Sequence, residues 1–148
     1  MIHLQTRRLL LVLCTAALST FFPLQAALAC SCAEKPTLEQ TVKDSTLIFV
    51  GRVLEQRETA HKPDYTEIRF TVLKKFKGFE EVPKSADYVV IYTPNQESLC
   101  GYAFSNGFEY LVFASGKPAF LKVDLCSRTD VLENAQLDQH RLIRLLEE

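Results

Sequence analysis

The chain has 148 residues, of which 47% are hydrophobic and 24% charged, a balance typical of a single domain folded around an apolar core. Its formal net charge is -1, so no long-range field attracts it to nucleic acid or to anionic lipid. It lacks Walker, GxGxxG, HExxH and GxSxG motifs, and its histidines, His3, His61 and His140, are far apart. The most familiar enzyme classes are thereby excluded, and we expect a non-enzymatic protein with no cofactor and no nucleic-acid partner.

Residues 1–29 differ in character from the rest of the chain. Two arginines precede an apolar run, and residues 27–29 (Ala-Leu-Ala) form a small-residue cleavage site directly before Cys30. Polar residues and a proline interrupt the apolar stretch, which argues against a membrane anchor. We therefore predict a signal peptide over 1–29, a mature domain over 30–148 without a transmembrane segment, and a secreted or periplasmic location.

Cleavage at this site would remove Cys14 and leave an even set of cysteines. These are Cys30, Cys32, Cys100 and Cys126. In an exported chain an even number implies disulfides. Cys30 and Cys32 are too close to bridge each other comfortably, so each is expected to reach a distant partner, with the pairing left open. A metal or redox site at this pair would need further ligands close by in sequence, and we do not expect one.

The mature chain begins with a predicted helix and two strands. Residues 37–40 form a capping box after a proline, which predicts a short helix over 37–44. Residues 46–58 are rich in β-branched and aromatic side chains and predict a long strand, in which Gly51 marks a bend or bulge. Residues 67–72 alternate between polar and apolar and predict a second strand with one face in the core.

Three more strands are predicted over 88–93, 108–114 and 120–126, from apolar runs or alternating patterns. Turn signals separate or flank these strands at Lys77-Gly78, Asn106-Gly107 and Ser115-Gly116. Five strands of these lengths favour a small closed or partly open barrel over a two-sheet sandwich.

A helix over 130–147 is predicted to close the chain. Asp130 and Glu133 form its cap signature. Its apolar side, which would lie against the barrel, consists of Val131, Ala135, Leu142 and Leu146.

Four segments of the mature chain together resemble a known family. They are the Cys30-Ser31-Cys32 start, residues 97–102 (Glu-Ser-Leu-Cys-Gly-Tyr), residues 107–112 (Gly-Phe-Glu-Tyr-Leu-Val) and the Leu125-Cys126 pair. In order and spacing they are similar to the N-terminal, netrin-like domain of the tissue inhibitors of metalloproteinases. The match is specific because Cys-x-Cys stands directly after a cleavage site and at defined distances from the later cysteines.

The resemblance implies a mainly β fold, an OB-fold five-stranded Greek-key barrel with two flanking helices. It also implies disulfides from Cys30 to Cys100 and from Cys32 to Cys126. The animal inhibitors carry a third bridge that starts in the first helix, where this chain has Val42, and both of its cysteines are absent here.

The function that the resemblance implies is inhibition of a zinc metalloprotease, by a protein that we expect to be a monomer. A catalytic zinc keeps one position for water, and an α-amine with the carbonyl of the same residue can fill it. Cys30 would present this pair to the target's zinc, and binding should weaken in acid because a protonated amine cannot bind metal. Ser31 would enter the enzyme's primed-side specificity pocket. The flanking contact ridge would consist of Cys32, Ala33, Ser98 and Leu99.

Two other functions remain open. One is a secreted or envelope netrin-like module that binds proteins or glycans without inhibiting a protease; Cys30 and Cys100 are then only a structural bridge, Ser31 a spacer and Leu99 a rim residue. The other is a lipoprotein modified on Cys30. Against it, Ala27 stands where a lipid-modification site usually has Leu, and the modification would leave Cys100 without a partner.

A basic group near the end of the second strand suggests the nucleic-acid face of an OB-fold. It contains Lys74, Lys75 and Lys77 with Phe76 and Phe79. Because the mature chain is exported and mildly acidic, we interpret these residues as ordinary surface.

Overall fold

The structure is a computed structural model. It describes residues 30, 32, 34–58, 60–80, 82, 88–95 and 100–147. The predicted signal peptide and four of the predicted site residues lie outside the described residues, the latter being Ser31, Ala33, Ser98 and Leu99.

Two helices and six strands follow one another along the described chain. They are α1 (Leu38–Asp44), β1 (Leu47–Glu58), β2 (Tyr65–Lys77), β3 (Val89–Pro94), β4 (Glu109–Lys117), β5 (Phe120–Lys122), β6 (Asp130–Val131) and α2 (Gln136–Glu147). Within the described residues neither helix is long and apolar enough to cross a bilayer.

Five of the strands close into a barrel. The strand order is β1-β2-β3-β5-β4, and an additional pairing of β1 with β4 joins the two ends. Neighbours are antiparallel except β3 and β5, which are parallel and meet at Tyr92 and Lys122. The two-residue β6 adds to β4 outside this ring. The prediction of a mainly β, OB-fold-like five-stranded barrel with two helices is confirmed.

Residues 47–50 of β1 and 110–114 of β4 are buried on both faces, which explains the continuous apolar sequence of these two segments. Phe49 and Tyr110 belong to the core inside the barrel. Ile48 and Leu111, one position away, belong to a second core between the barrel wall and the helices, because successive side chains of a strand point to opposite faces. Leu142 of α2 is fully buried in this second core and fixes the helix on the barrel.

Gly51 marks an irregularity in β1, as predicted. The pairing of β1 with β2 shifts register between Val50 and Gly51. A Cβ at Gly51 would lie 2.6 Å from Cε2 of Phe49 and 3.0 Å from the carbonyl oxygen of Thr71. Glycine therefore lets the two strands approach closely where the barrel wall bends.

The first helix is capped largely as predicted. Thr37 is the N-cap, and its hydroxyl accepts a hydrogen bond from the Gln40 N–H at 3.2 Å. The Gln40 side-chain amide also donates to the Asp44 carboxylate at 2.7 Å, one turn later in the same helix.

The predicted start of the last helix is wrong. Asp130 and Val131 form β6, paired with Leu111 and Tyr110, and the helix begins only at Gln136. The barrel edge supplies β4 as a pairing partner for this segment, and that partner overrides the local cap signature. Leu146, which the prediction places on the side of the helix against the barrel, is instead 41% exposed.

The hairpin between β4 and β5 also differs from the prediction. Ser115 and Gly116 lie inside β4 and pair with β5, so the turn falls at residues 118–119. Gly116 has φ of +113°, and a Cβ there would lie 2.6 Å from the carbonyl oxygen of Phe120. This glycine thus serves close strand approach rather than the turn itself.

Candidate functional site

Two disulfides join the start of the described chain to the barrel. Cys30 is bonded to Cys100, 70 residues away, and Cys32 to Cys126, 94 residues away, each with Cα atoms 5.4 Å apart. These are the pairs that the family resemblance implies. The segment around Cys30 and Cys32, which we call the N-terminal arm, is therefore attached at two points two residues apart.

The first attachment point, Cys100, is held by backbone contacts with the segment of Asp124 and Leu125. Its carbonyl accepts a hydrogen bond from the Leu125 N–H at 2.8 Å, and the next residue, Gly101, forms a β-bridge with Asp124. A Cβ on Gly101 would collide with the carbonyl oxygen of Pro94. Cys100 itself has φ of 60°, in the left-handed region that costs a non-glycine residue energy. The surrounding contacts are what keep it in this conformation.

The segment beyond Gly101 is tied to β3 through one buried hydroxyl. The Tyr102 N–H donates to Thr93 Oγ1 at 2.7 Å, and this hydroxyl in turn donates to the Tyr102 carbonyl at 3.3 Å. Thr93 is only 4% exposed, so a competing water has little access to these bonds. Burial is the main cause that raises the pKa of the Tyr102 hydroxyl, and the negative charge of Asp130 and the nearby Tyr110 add to it.

The second attachment point, Cys126, lies in an Asx turn. The Asp124 carboxylate accepts hydrogen bonds from the N–H groups of Cys126 and Ser127, both at 3.0 Å. Asp124 is thus bridged through its backbone to the segment of Cys100 and through its side chain to that of Cys126. One residue couples the two attachment points of the arm.

An arginine fixes the chain directly after the arm. Arg128 donates to the Pro36 carbonyl at 2.9 Å, and its Nε and Nη2 both reach Asp138 Oδ2, at 3.0 and 2.6 Å. Asp138 lies in the first turn of α2, so the arginine links the arm to the last helix. The ion pair is largely shielded, with side-chain exposures of 23% and 20%.

Sequence reasoning found the cysteines of this site but missed its supports. The pattern Asp124-x-Cys126 is an Asx-turn signal that could have been recognised. Thr93, Gly101 and Arg128 carried no local signal, because each acts through a partner that is distant in sequence.

The described residues contain no group of three or more His, Cys, Asp and Glu side chains placed to hold a metal ion. His61 and His140 are both exposed, as expected for surface positions.

A family model described as tissue inhibitor of metalloproteinase matches residues 28–145. The chain belongs to this family. The matched span includes the four bridged cysteines, all strands of the barrel and most of α2. Members of the family are inhibitors rather than enzymes, and their partners are metalloproteinases.

Proposed function

We propose that the protein, after cleavage before Cys30, inhibits a zinc metalloprotease by binding the enzyme's catalytic zinc through the α-amine and carbonyl oxygen of Cys30. Family membership supports the inhibitory role. The observation that carries the mechanism is the double attachment of the N-terminal arm, through Cys30 and Cys32, to two turn segments that are hydrogen-bonded to each other through Leu125 and Gly101.

The chemistry follows from the ligand that a chain terminus can offer. A catalytic zinc has an open coordination position, normally occupied by water, which an incoming ligand can take. An α-amine and the carbonyl of the same residue form a chelating pair that no internal residue can offer, because internal nitrogens are amides without a basic lone pair. Cleavage before Cys30 would create this pair at the residue that is bridged to Cys100.

Rigidity of the arm should raise affinity. A flexible terminus loses conformational freedom when it binds, and that loss subtracts from the binding free energy. Here the Cys100 and Cys126 segments are fixed by hydrogen bonds to Leu125 and to Asp124 before any partner is present. The arm therefore loses its conformational entropy when the protein folds, and this loss no longer lowers the affinity for the protease.

We further propose that residues around the chelating pair select the target. Ser31 would enter the primed-side pocket, and Cys32 with Ala33 would lie along the cleft. Ser98 and Leu99, directly before the bridged Cys100, would form the other side of the contact ridge. Replacing Ser31 with a bulky or charged residue should then change which proteases are inhibited rather than remove inhibition altogether.

The deciding experiment compares two N-termini of the otherwise identical oxidised protein. Mature protein that begins at Cys30 is expected to inhibit at least one enzyme in a panel of zinc metalloproteases, and the inhibition should weaken as pH falls and the amine is protonated. One alanine added before Cys30, or acetylation of its amine, should abolish inhibition, while the same alanine added at the C-terminus should have no effect.

Disulfide mapping and thermal unfolding of each form keep this comparison interpretable, because the two bridges and the unfolding temperature should be the same in all of them. Equal inhibition by the blocked and unblocked forms would refute chelation. Failure of the native form against the whole panel would leave the netrin-like binding module as the better account.

Export is a separate part of the proposal. Mass spectrometry of protein produced with its own leader should find Cys30 as the first residue, with both bridges formed and no free thiol. A mature terminus elsewhere, or a lipid mass on Cys30, would contradict it.

A further inference from the structure

The Asn106-Gly107 pair, predicted as a turn, lies in the loop that leads into β4. The Phe108 N–H donates to the Ser105 carbonyl at 3.3 Å and closes a turn over residues 105–108. Gly107 has φ of +82°, which the third residue of a type II turn requires. Asn106 and Gly107 are both exposed. Water and hydroxide therefore reach the asparagine side chain and the peptide bond that follows it.

An asparagine that precedes a glycine can react with its own backbone. The nitrogen of the following peptide loses its proton and attacks the side-chain carbonyl carbon, ammonia leaves, and a five-membered succinimide ring forms. Water then opens the ring at either carbonyl and gives aspartate or isoaspartate. The net reaction consumes water, releases ammonia and needs no other reactant. Glycine favours the attack because no Cβ stands beside the attacking nitrogen.

The fold restrains the attacking nitrogen. The Gly107 N–H donates to the Val53 carbonyl at 2.8 Å, and the Val53 N–H donates to the Phe108 carbonyl at 3.0 Å. These two bonds extend the pairing of β1 with β4 by one step beyond Arg52 and Glu109. A nitrogen that donates a hydrogen bond is still protonated, so the bond to Val53 must break before the attack. The end of the β1–β4 pairing thus controls access to the reactive state.

The side chain of Asn106 is restrained as well. Gln56 Nε2 donates to Asn106 Oδ1 at 3.1 Å and to the Phe104 carbonyl at 3.0 Å. Ring closure turns the Asn106 side-chain carbonyl toward the Gly107 nitrogen, and the contact with Gln56 opposes this rotation. Since the contact is exposed, its contribution is that of an ordinary hydrogen bond and smaller than the effect of strand pairing.

We propose that Asn106 is a site of spontaneous deamidation and that opening of the 105–108 turn limits its rate. The attack begins only in molecules in which the bond between Gly107 and Val53 is broken. The rate in the native protein is then the rate in an unfolded chain multiplied by the fraction of molecules with an open turn. The reaction involves no residue of the N-terminal arm, so the proposal is independent of protease inhibition.

The products would alter the end of the β1–β4 pairing. Aspartate adds a negative charge to a groove that Asn106 shares with Arg52 and Glu109. Isoaspartate inserts a methylene group into the main chain, so the Gly107 N–H and the Phe108 carbonyl can no longer both meet Val53 in register. The modified turn should therefore open more readily than the parent turn.

The test follows Asn106 in the oxidised protein during incubation in mildly alkaline buffer, with and without guanidinium. Mass spectrometry of the peptide that contains Asn106 detects the exchange of amide for carboxyl, and enzymatic methylation detects isoaspartate. Asn106 should convert in the native protein, and denaturation should raise its rate about tenfold or more. A synthetic peptide of residues 103–110, incubated in both solvents, corrects for any direct effect of guanidinium.

Asn134 is the control within the same molecule. It is also exposed, but it precedes Ala135, whose Cβ hinders the attack and whose N–H is bonded to the Val131 carbonyl at 3.1 Å. Asn134 should convert more slowly than Asn106 in both the native and the denatured protein. In the denatured protein, Gly107→Ala should slow conversion of Asn106 toward the rate of Asn134, since it places a Cβ beside the attacking nitrogen.

Two glutamine variants test the restraint on the side chain. Gln56→Ala should raise the rate of Asn106 in the native protein about twofold to tenfold, as expected for the loss of one hydrogen bond. Gln40→Ala is the matched control, because the Gln40 amide donates to Asp44 within α1 and has no contact with the turn. It should leave the rate of Asn106 unchanged.

The deamidation site is overturned if Asn106 stays unmodified in the native protein over a period that converts the synthetic peptide, or if Asn134 converts as fast. Equal rates in the native and the denatured protein would overturn the control by turn opening. Equal effects of Gln56→Ala and Gln40→Ala would contradict the restraint of the Asn106 side chain by Gln56.

Discussion

Gly101 shows how a single residue without a side chain can support a site. It lies between Cys100 and the Thr93-bonded Tyr102, where a Cβ would collide with the Pro94 carbonyl. The close approach sets the position of Cys100 relative to β3. The sequence indicates only that a glycine follows a cysteine, because the Pro94 carbonyl reaches it through the fold.

Gly101→Ala should therefore lower the free energy of unfolding by about 1–3 kcal/mol, as overpacking does, and weaken protease inhibition by displacing Cys100. Gly107→Ala is the control. Gly107 has φ of +82° but nothing within 4 Å of its Cβ position, so this change should cost only about 1 kcal/mol of backbone strain and leave inhibition unaltered. Urea unfolding and an inhibition assay measure both effects. Equal inhibition by the Gly101 variant and the parent would show that inhibition does not depend on the position of Cys100.

Tyr102 predicts a specific loss of stability in alkali. Burial raises the pKa of its hydroxyl above the ordinary value of 10.0, so the folded state keeps this proton where the unfolded chain has lost it. The contribution of the protonated Tyr102 to the free energy of unfolding is therefore fully present below pH 10.0, and it is lost as the pH rises from there towards the higher pKa of the folded state.

Between about pH 9 and 11, the free energy of unfolding should thus fall less steeply for Tyr102→Phe than for the parent. Tyr88→Phe, at a position 38% exposed, should follow the parent. Short denaturant titrations of the oxidised proteins at several pH values give the slopes. Parallel curves for the parent and Tyr102→Phe would contradict the assigned role of burial.

Local sequence patterns predict the helices and strands correctly where the hydrogen-bond partner lies only a few residues away. Thr37 caps α1 through a bond to Gln40, three residues away, so the capping pattern placed this helix correctly. Asp130 failed as a cap because β4 offered the segment a backbone pairing that no local pattern reveals. The start of α2 was consequently predicted six residues too early, at 130 instead of Gln136.

Packing of α2 on the barrel should depend on one leucine far more than on another. Leu142 is fully buried, whereas Leu146, one turn later, is 41% exposed. Leu142→Ala should cost about 2–5 kcal/mol of unfolding free energy, and Leu146→Ala less than about 1 kcal/mol. Chemical denaturation of the two variants measures the difference. Similar losses would mean that the helix packs through a different face.

The two disulfides connect the N-terminal arm to segments that are distant in sequence. Changing Cys32 and Cys126 to serine removes a bridge between residues that are 94 positions apart in sequence. The chain-entropy model predicts a loss of about 4 kcal/mol, which guanidinium unfolding would measure. The Arg128→Lys variant is a useful comparison, because it keeps the charge but loses the forked contact with Asp138 and should cost much less. A negligible loss in the serine variant would indicate that hydrogen bonds alone hold the arm.

The family, the barrel and the cysteine framework can be predicted from the sequence, because they depend on residue spacing, strand alternation and the even cysteine count, all of which are local or countable. The contacts that hold the arm in place cannot be predicted from the sequence, since they form only in the folded chain. Gly101 acts through the Pro94 carbonyl and Arg128 through Asp138. Such contacts join residues far apart in sequence, and they exist only once strand register and barrel closure have brought those residues together.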